Sequence, residues 1–287
     1  MNLGKRKILA SIIVSSMLLA GCTAESSVDD ESLEDISETP DTNEESDPGS
    51  APEEIIEVGE SGYCDDTNQV HCMLPFPSGA FLSEDSSQDT GYRLTIDGQA
   101  IPDSRSAVSD NLVILDRLDG FSPSTQIFTA FDEVPNITGM ASQFDIEASI
   151  MEGHGSVLLN MDTGEKVFHW IEVDARAQEG EETLLFLRTI EGLDHNASYA
   201  VGFRGLYDLA GNEISPHEGF RALRDNVETN SEGIEEQRES YEEMFSSLES
   251  SGFERGSLQA AWWFHTASTD SILRDIVIMR DDAEQRL

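Results

Sequence analysis

Positive charge is what this chain has least of: 17 lysines and arginines stand against 57 aspartates and glutamates in 287 residues, a net charge of −40. That balance excludes nucleic acid as a partner, because holding a phosphate backbone depends on cations that displace its counterions. It also repels anionic lipid headgroups, so a membrane contact has to come from a covalent anchor. Self-repulsion of this size favours solubility at some cost in stability, and it suits a saline medium in which ions screen charges over a few Å. Cysteine is nearly as scarce, with three in the chain, which rules out a dense disulfide framework.

Motifs that carry catalysis are missing too. No G-x-S-x-G is present, so the strained turn of a serine hydrolase has no sequence support. Gly153-His154-Gly155-Ser156 is the nearest imitation; it runs straight into an apolar stretch, and Ser156 reads as a strand-entry residue. The six histidines, His71, His154, His169, His195, His217 and His265, form neither H-x-x-x-H nor H-E-x-x-H, so no helical zinc site is expected. His265 closes an aromatic run and reads as a hydrogen-bonded core histidine. Nucleotide-binding glycine patterns are absent. The adjacent acids Asp29-Asp30, Asp65-Asp66 and Asp281-Asp282 are what chance gives in so acidic a chain. No cofactor and no metal is called for.

What is present begins with Lys5, Arg6 and Lys7, an apolar stretch over 8–20, and then Leu19-Ala20-Gly21-Cys22. The stretch is too short to span a hydrocarbon core of ~30 Å and has the dimensions of a removable signal. Leu-Ala-Gly-Cys resembles the bacterial lipobox. That resemblance implies cleavage after residue 21 and diacylglycerol on the Cys22 thiol, a nucleophile suited to attack on a lipid donor. Thr23 in place of aspartate implies the outer membrane of a Gram-negative cell. An ordinary signal peptide or an uncleaved anchor helix are the alternatives.

From Thr23 to about Glu60 the chain has no lysine, arginine or aromatic residue. With so little to bury, residues 22–60 are expected to form a disordered acidic tether. Beyond it lie Cys64 and Cys72, a pair expected to form a disulfide outside the cytoplasm; a zinc site using His71 is the sharper alternative.

Residues 61–224 alternate short apolar runs with turn residues. Strands are expected near 92–96, 157–161, 167–173, 183–190 and 199–203, with turns at Asp97-Gly98, Asp119-Gly120, Asp162-Thr163-Gly164 and Ala210-Gly211-Asn212. This spacing predicts a mainly β fold, a β-sandwich, with a hairpin turning at Thr163-Gly164. Residues 225–287 read as helix, strand, helix: Ser231 or Asn230 caps the first helix, Gly252 ends it, 258–265 is strand-like, and Ser268 or Thr269 opens the second helix. That order does not belong to a sandwich and predicts a further unit. In the strand-like run, Trp262 and Phe264 share one side and Trp263 faces the other, which reads as core packing with one ring at an interface.

Two resemblances cover this region. Residues from about 126 to 222 are similar to the bacterial Ig-like module of S-layer proteins, on the strength of Ser198-Tyr199-Ala200-Val201 and Asp208-Leu209-Ala210-Gly211-Asn212. In that turn Gly211 permits positive φ, and Asp208 and Asn212 bond local backbone amides. More broadly, Cys72-Met73-Leu74-Pro75-Phe76-Pro77-Ser78, Asp119-Gly120-Phe121-Ser122-Pro123 and Trp263-Phe264-His265-Thr266-Ala267-Ser268 resemble the N-terminal region of bacterial extracellular lipase-like proteins. There an α/β-hydrolase domain follows, at a junction like Arg280-Asp281-Asp282-Ala283. The resemblances imply either of two roles. One is a membrane-anchored surface lipoprotein with a non-catalytic binding or scaffold module for a protein or polysaccharide. The other is the N-terminal part of a lipase- or esterase-like enzyme whose catalytic domain lies outside this chain.

Overall fold

The computed structural model describes residues 55–59, 61–100, 115, 117–178 and 180–286. The expected signal, Cys22 and the tether as far as residue 54 lie outside them. The described residues belong to one compact unit, Ser50–Leu287, which is mainly β with three helices.

Two three-stranded antiparallel sheets form the centre. The first joins β4 (Ile127–Phe131), β7 (Thr183–Thr189) and β6 (His169–Val173), with β7 in the middle. The second joins β5 (Ser156–Asn160), β8 (Ser198–Arg204) and β10 (Leu258–His265), with β8 in the middle. The strand expected in a C-terminal unit therefore belongs to the central sheet, where it pairs with β8 from Leu258 opposite Arg204 to His265 opposite Ser198. The predicted turn at Gly164 is there, with φ +74°. Val167 N–H still donates to Leu158 O. Two residues on, the chain crosses to the other sheet, where His169 pairs with Thr189.

The β4–β7–β6 sheet has one buried face. Thr183, Leu185 and Leu187 are buried in β7, while Leu184 and Phe186 are half-buried on its other side. By contrast, every residue of β5 and of β10 is buried, because their sheet is covered on both faces. Alternation places Leu158, Tyr199, Val201, Phe203, Trp262 and Phe264 on one face. They form one core with Ile127, Phe131, Ile171, Leu185 and Leu187; Phe203 stacks on Trp262, and Tyr199 on Phe264.

The other face carries Val157, Ala200, Gly202, Ala261 and Trp263, and α2 (Glu232–Ser250) lies against it. Small side chains let the helix approach: a Cβ on Gly202 would sit 3.6 Å from Leu248 Cδ1 and 3.1 Å from Val157 Cγ1. Ser231 caps α2 by accepting from the Ile234 N–H, and Gly252 ends the segment at φ +93°. A short α1 (Glu218–Asp225) packs beside it; sequence periodicity had not marked this helix. Ser268 caps α3 (Thr269–Gln285), which has no buried residue.

Two small elements complete the frame. β2 (Leu82–Glu84) and β3 (Tyr92–Leu94) form a hairpin. β1 (Ile55–Ile56) pairs in parallel with β9 (Glu228–Thr229). The expected tether thus runs too far: Ile56 and Val58 are buried. Their apolar spacing in Ile-Ile-Glu-Val is enough to dock a strand despite the acidic residues around it.

Candidate functional site

The segment after Ser61 ties the layers together. Cys64 and Cys72 are joined by a disulfide, which removes both sulfurs from any zinc site. Within the loop so closed, Asn68 Nδ2 donates to Thr129 Oγ1 (2.9 Å) and Ala130 O (3.0 Å) in β4. Asp66 accepts from the hydroxyl of Ser231, the α2 cap, at 2.8 Å. The carbonyl of Asp66 also rests on α1, where a Cβ on Gly219 would fall 2.1 Å from it.

A cavity of about 820 Å³ opens between this loop, the β2–β3 hairpin and the start of α2. Trp263 of β10 forms part of its wall, facing away from Trp262 and Phe264 as alternation requires. Gly79 leaves room for the indole, since a Cβ there would lie 2.3 Å from its Cε2. Tyr92 of β3 packs with ring centroid 5.9 Å from Trp263. Trp263 is 7% exposed, and its indole N–H has no hydrogen-bond partner. Gln237 gives its amide N–H to Gly233 O at 2.9 Å, while its buried Oε1 has no partner. Asp66, Glu84, Asp97, Glu232 and Glu236 also line the space, and among the described residues no lysine, arginine or histidine does. Burial, then the charges of Glu243, Glu84 and Asp162, push the Tyr92 phenol up, so it stays neutral and can donate. Among the described residues no cluster of three or more histidines, cysteines or acids is placed to hold a metal.

Asp65, beside Asp66, is buried without a cation. Its Oδ1 accepts from Thr67 N–H (3.0 Å) and Oγ–H (2.6 Å), and its Oδ2 from Ser78 Oγ–H. Burial pushes its carboxyl up to about 6.

A second polar cluster lies between the sheets. His169 Nδ1 faces Val167 O at 2.8 Å, so this nitrogen carries the proton and Nε2 accepts from Ser156 Oγ at 2.9 Å. His154 Nε2 accepts from Ala141 N–H (2.9 Å), and its Nδ1 lies 3.1 Å from Ser156 O and 3.2 Å from both Ser156 N and Ser156 Oγ. A hydroxyl donating to an imidazole is the geometry of an activated nucleophile. Ser156 is 0% exposed and His169 1%, however, so no substrate reaches the pair. It satisfies polar groups that the strand ends bury. His265 is likewise buried and bonded, to Ser198 Oγ (2.9 Å) and Asn196 Oδ1 (3.0 Å).

The turn at Asp208 is closed by its own side chains. Asp208 Oδ1 accepts from Asn212 N–H and Oδ2 from Asn212 Nδ2, both at 2.8 Å, and Gly211 has φ +90°. Asn212 therefore meets the Asp208 carboxylate with both its backbone N–H and its side-chain amide. Gln259 of β10 braces the loop, bonding Leu206 N–H, Leu206 O and Ile214 O.

Of the residues marked in sequence, the structure brings Cys64, Asp66 and Trp263 to the cavity and leaves Asp208, Gly211 and Asn212 in a separate turn. The acidic rim was hidden by a composition in which acids are everywhere. No family model matches the chain, and neither a curated protein nor a solved structure matches it.

Proposed function

We propose that this chain is a surface lipoprotein, held in the outer membrane of a Gram-negative cell by lipid on Cys22. Its folded part is a non-catalytic, Ig-like binding module on an acidic stalk. The observation that carries the binding reading is the open cavity beside Trp263, with an unpartnered indole N–H and a one-sign rim. Concave sites of roughly 300–1,000 Å³ with a few polar groups are where proteins hold ligands. The paired antiparallel sheets and the Asp208 turn support the Ig-like reading, and the lipobox-like Leu19-Ala20-Gly21-Cys22 supports the anchor. The Ser156–His169 pair is sealed, so it does not argue for hydrolysis.

The test is metabolic labelling with a palmitate analogue in a bacterial host, followed by membrane fractionation. The chain should take up label and sediment with membranes, and Cys22→Ser should lose both properties. Label on the Cys22→Ser chain would sink the anchor.

One observation favours the second reading, the N-terminal part of a lipase-like enzyme. Leu273, Ile276, Val277, Ile278 and Met279 stand exposed around α3, apolar surface that a following hydrolase domain would cover. A neighbouring reading frame with G-x-S-x-G and no signal of its own would decide for it.

A further inference from the structure

The cavity beside Trp263 offers a ligand acceptors of one charge sign and aromatic surface. We infer that it binds an organic cation bearing primary amine or guanidinium groups, as carried by a polyamine or by lysine and arginine side chains of a peptide. The inference rests on the reading of the folded part as a binding module and names what it binds.

Four observations support it. Among the cavity's lining residues Glu84, Asp97 and Glu236 are exposed and Asp66 is buried, with no basic side chain among the described lining residues. Negative walls of this kind concentrate cations. Trp263 and Tyr92, 5.9 Å apart, present rings to which a nearby cation is attracted. The space is far larger than a metal ion needs, and no described carboxylates converge as metal ligands, which favours a cation spread over several atoms. Finally, two of the lining side chains, Gln237 and Trp263, each carry a buried polar atom that finds no partner within the protein.

The experiment is calorimetric and fluorescence titration of the full chain with four probes: a capped tri-lysine peptide, spermidine, magnesium ion and maltotriose. Saturable binding of the peptide is expected, together with a change in tryptophan emission that Trp263→Phe abolishes. The double variant Glu84→Gln/Glu236→Gln changes only exposed side chains and should weaken binding about three- to tenfold. Glu152→Gln/Glu249→Gln, two exposed acids outside the cavity lining, should leave it unchanged. Spermidine binding with the peptide silent would assign the site to a free polyamine.

Equal losses in the two double variants, or magnesium competing at equal charge, would mean diffuse counterion binding and overturn the inference. Maltotriose binding with both cations silent would overturn it while leaving the binding-module reading intact. Silence from all four probes sinks the cation assignment. The module reading itself falls separately, if the chain hydrolyses short-chain esters and a serine-directed probe labels it.

Discussion

The Asp65 carboxyl lies buried with Ser78 and Thr67 donating to it and no cation beside it. Burial, aided by the Asp66 charge and opposed by those hydrogen bonds, raises it from 3.8 to about 6. The folded chain therefore keeps a proton there that the unfolded chain has released. This contribution to stability is full below about pH 3.8 and is lost as pH rises through about 6, a change of roughly 3 kcal/mol. His169 works in the opposite sense. Burial, with repulsion from His154 and against the bond to Val167 O, lowers it from 6.5 to about 4. Its contribution is present above about pH 6.5 and is lost as pH falls toward 4, again by roughly 3 kcal/mol. Urea unfolding at pH 4 to 8 separates the two. The stability of Asp65→Asn relative to the parent should rise with pH, and that of His169→Gln should rise as pH falls. Parallel curves would remove both assignments. Neither environment was legible beforehand: Asp65-Asp66 looks like any adjacent acid pair here, and Ser156 meets His169 through a contact between strands of two different sheets, β5 and β6. The Trp262-Trp263-Phe264 alternation was legible, because period 2 in a strand needs no tertiary knowledge.

Among the elements, the junction of α1 with the disulfide loop is the tightest. Glycine inside a helix ordinarily gives way to alanine with a gain approaching 1 kcal/mol. At Gly219 the added Cβ would lie 2.1 Å from the Asp66 carbonyl and 3.0 Å from Ile234 Cδ1, so Gly219→Ala should cost about 1–3 kcal/mol. A thermal melt showing any gain would contradict that packing. The loop itself spans a sequence separation of 8 between its cysteines. Cys64→Ser/Cys72→Ser should lose about 2–3 kcal/mol by the chain-entropy argument. Because Cys64 also lines the cavity, the same change should weaken ligand capture, which the tri-lysine titration reads. Elements with strong local signals, such as α2 between Ser231 and Gly252 or the strand over 258–265, could be placed from sequence. β1 was lost in an acidic stretch, and α1 is too short for periodicity to declare it. The position of β10 was illegible for another reason: pairing with β8, some sixty residues earlier, leaves no mark in local pattern.

At the scale of the whole molecule, β10 and α3 differ in what they hold together, although they are neighbours in the chain. β10 forms an entire strand of the central sheet, sets Trp262 and Phe264 into the core and braces the Asp208 loop through Gln259. α3 has no buried residue, and its ties to the other described residues are slight: Arg117 to Asp275 at 2.8 Å, Arg274 to Arg117 O at 3.2 Å and Asp119 N–H to Ser271 Oγ at 3.4 Å. Exposed ion pairs of this sort contribute well under 1 kcal/mol each. A chain ended after residue 270 should therefore melt within a few degrees of the full chain. One ended after 224 loses α2 and β10 together and should not fold, since both faces of the central sheet depend on them. Limited proteolysis reads the same hierarchy without mutation. α3 should be trimmed first, leaving a protected core from about residue 55 to 268. Should cleavage near 224 come before trimming of α3, the C-terminal segment is held by something other than this sheet. Covering the exposed apolar residues of α3 with a following domain would then be the stabilising event, and the lipase-like reading would gain over the binding module.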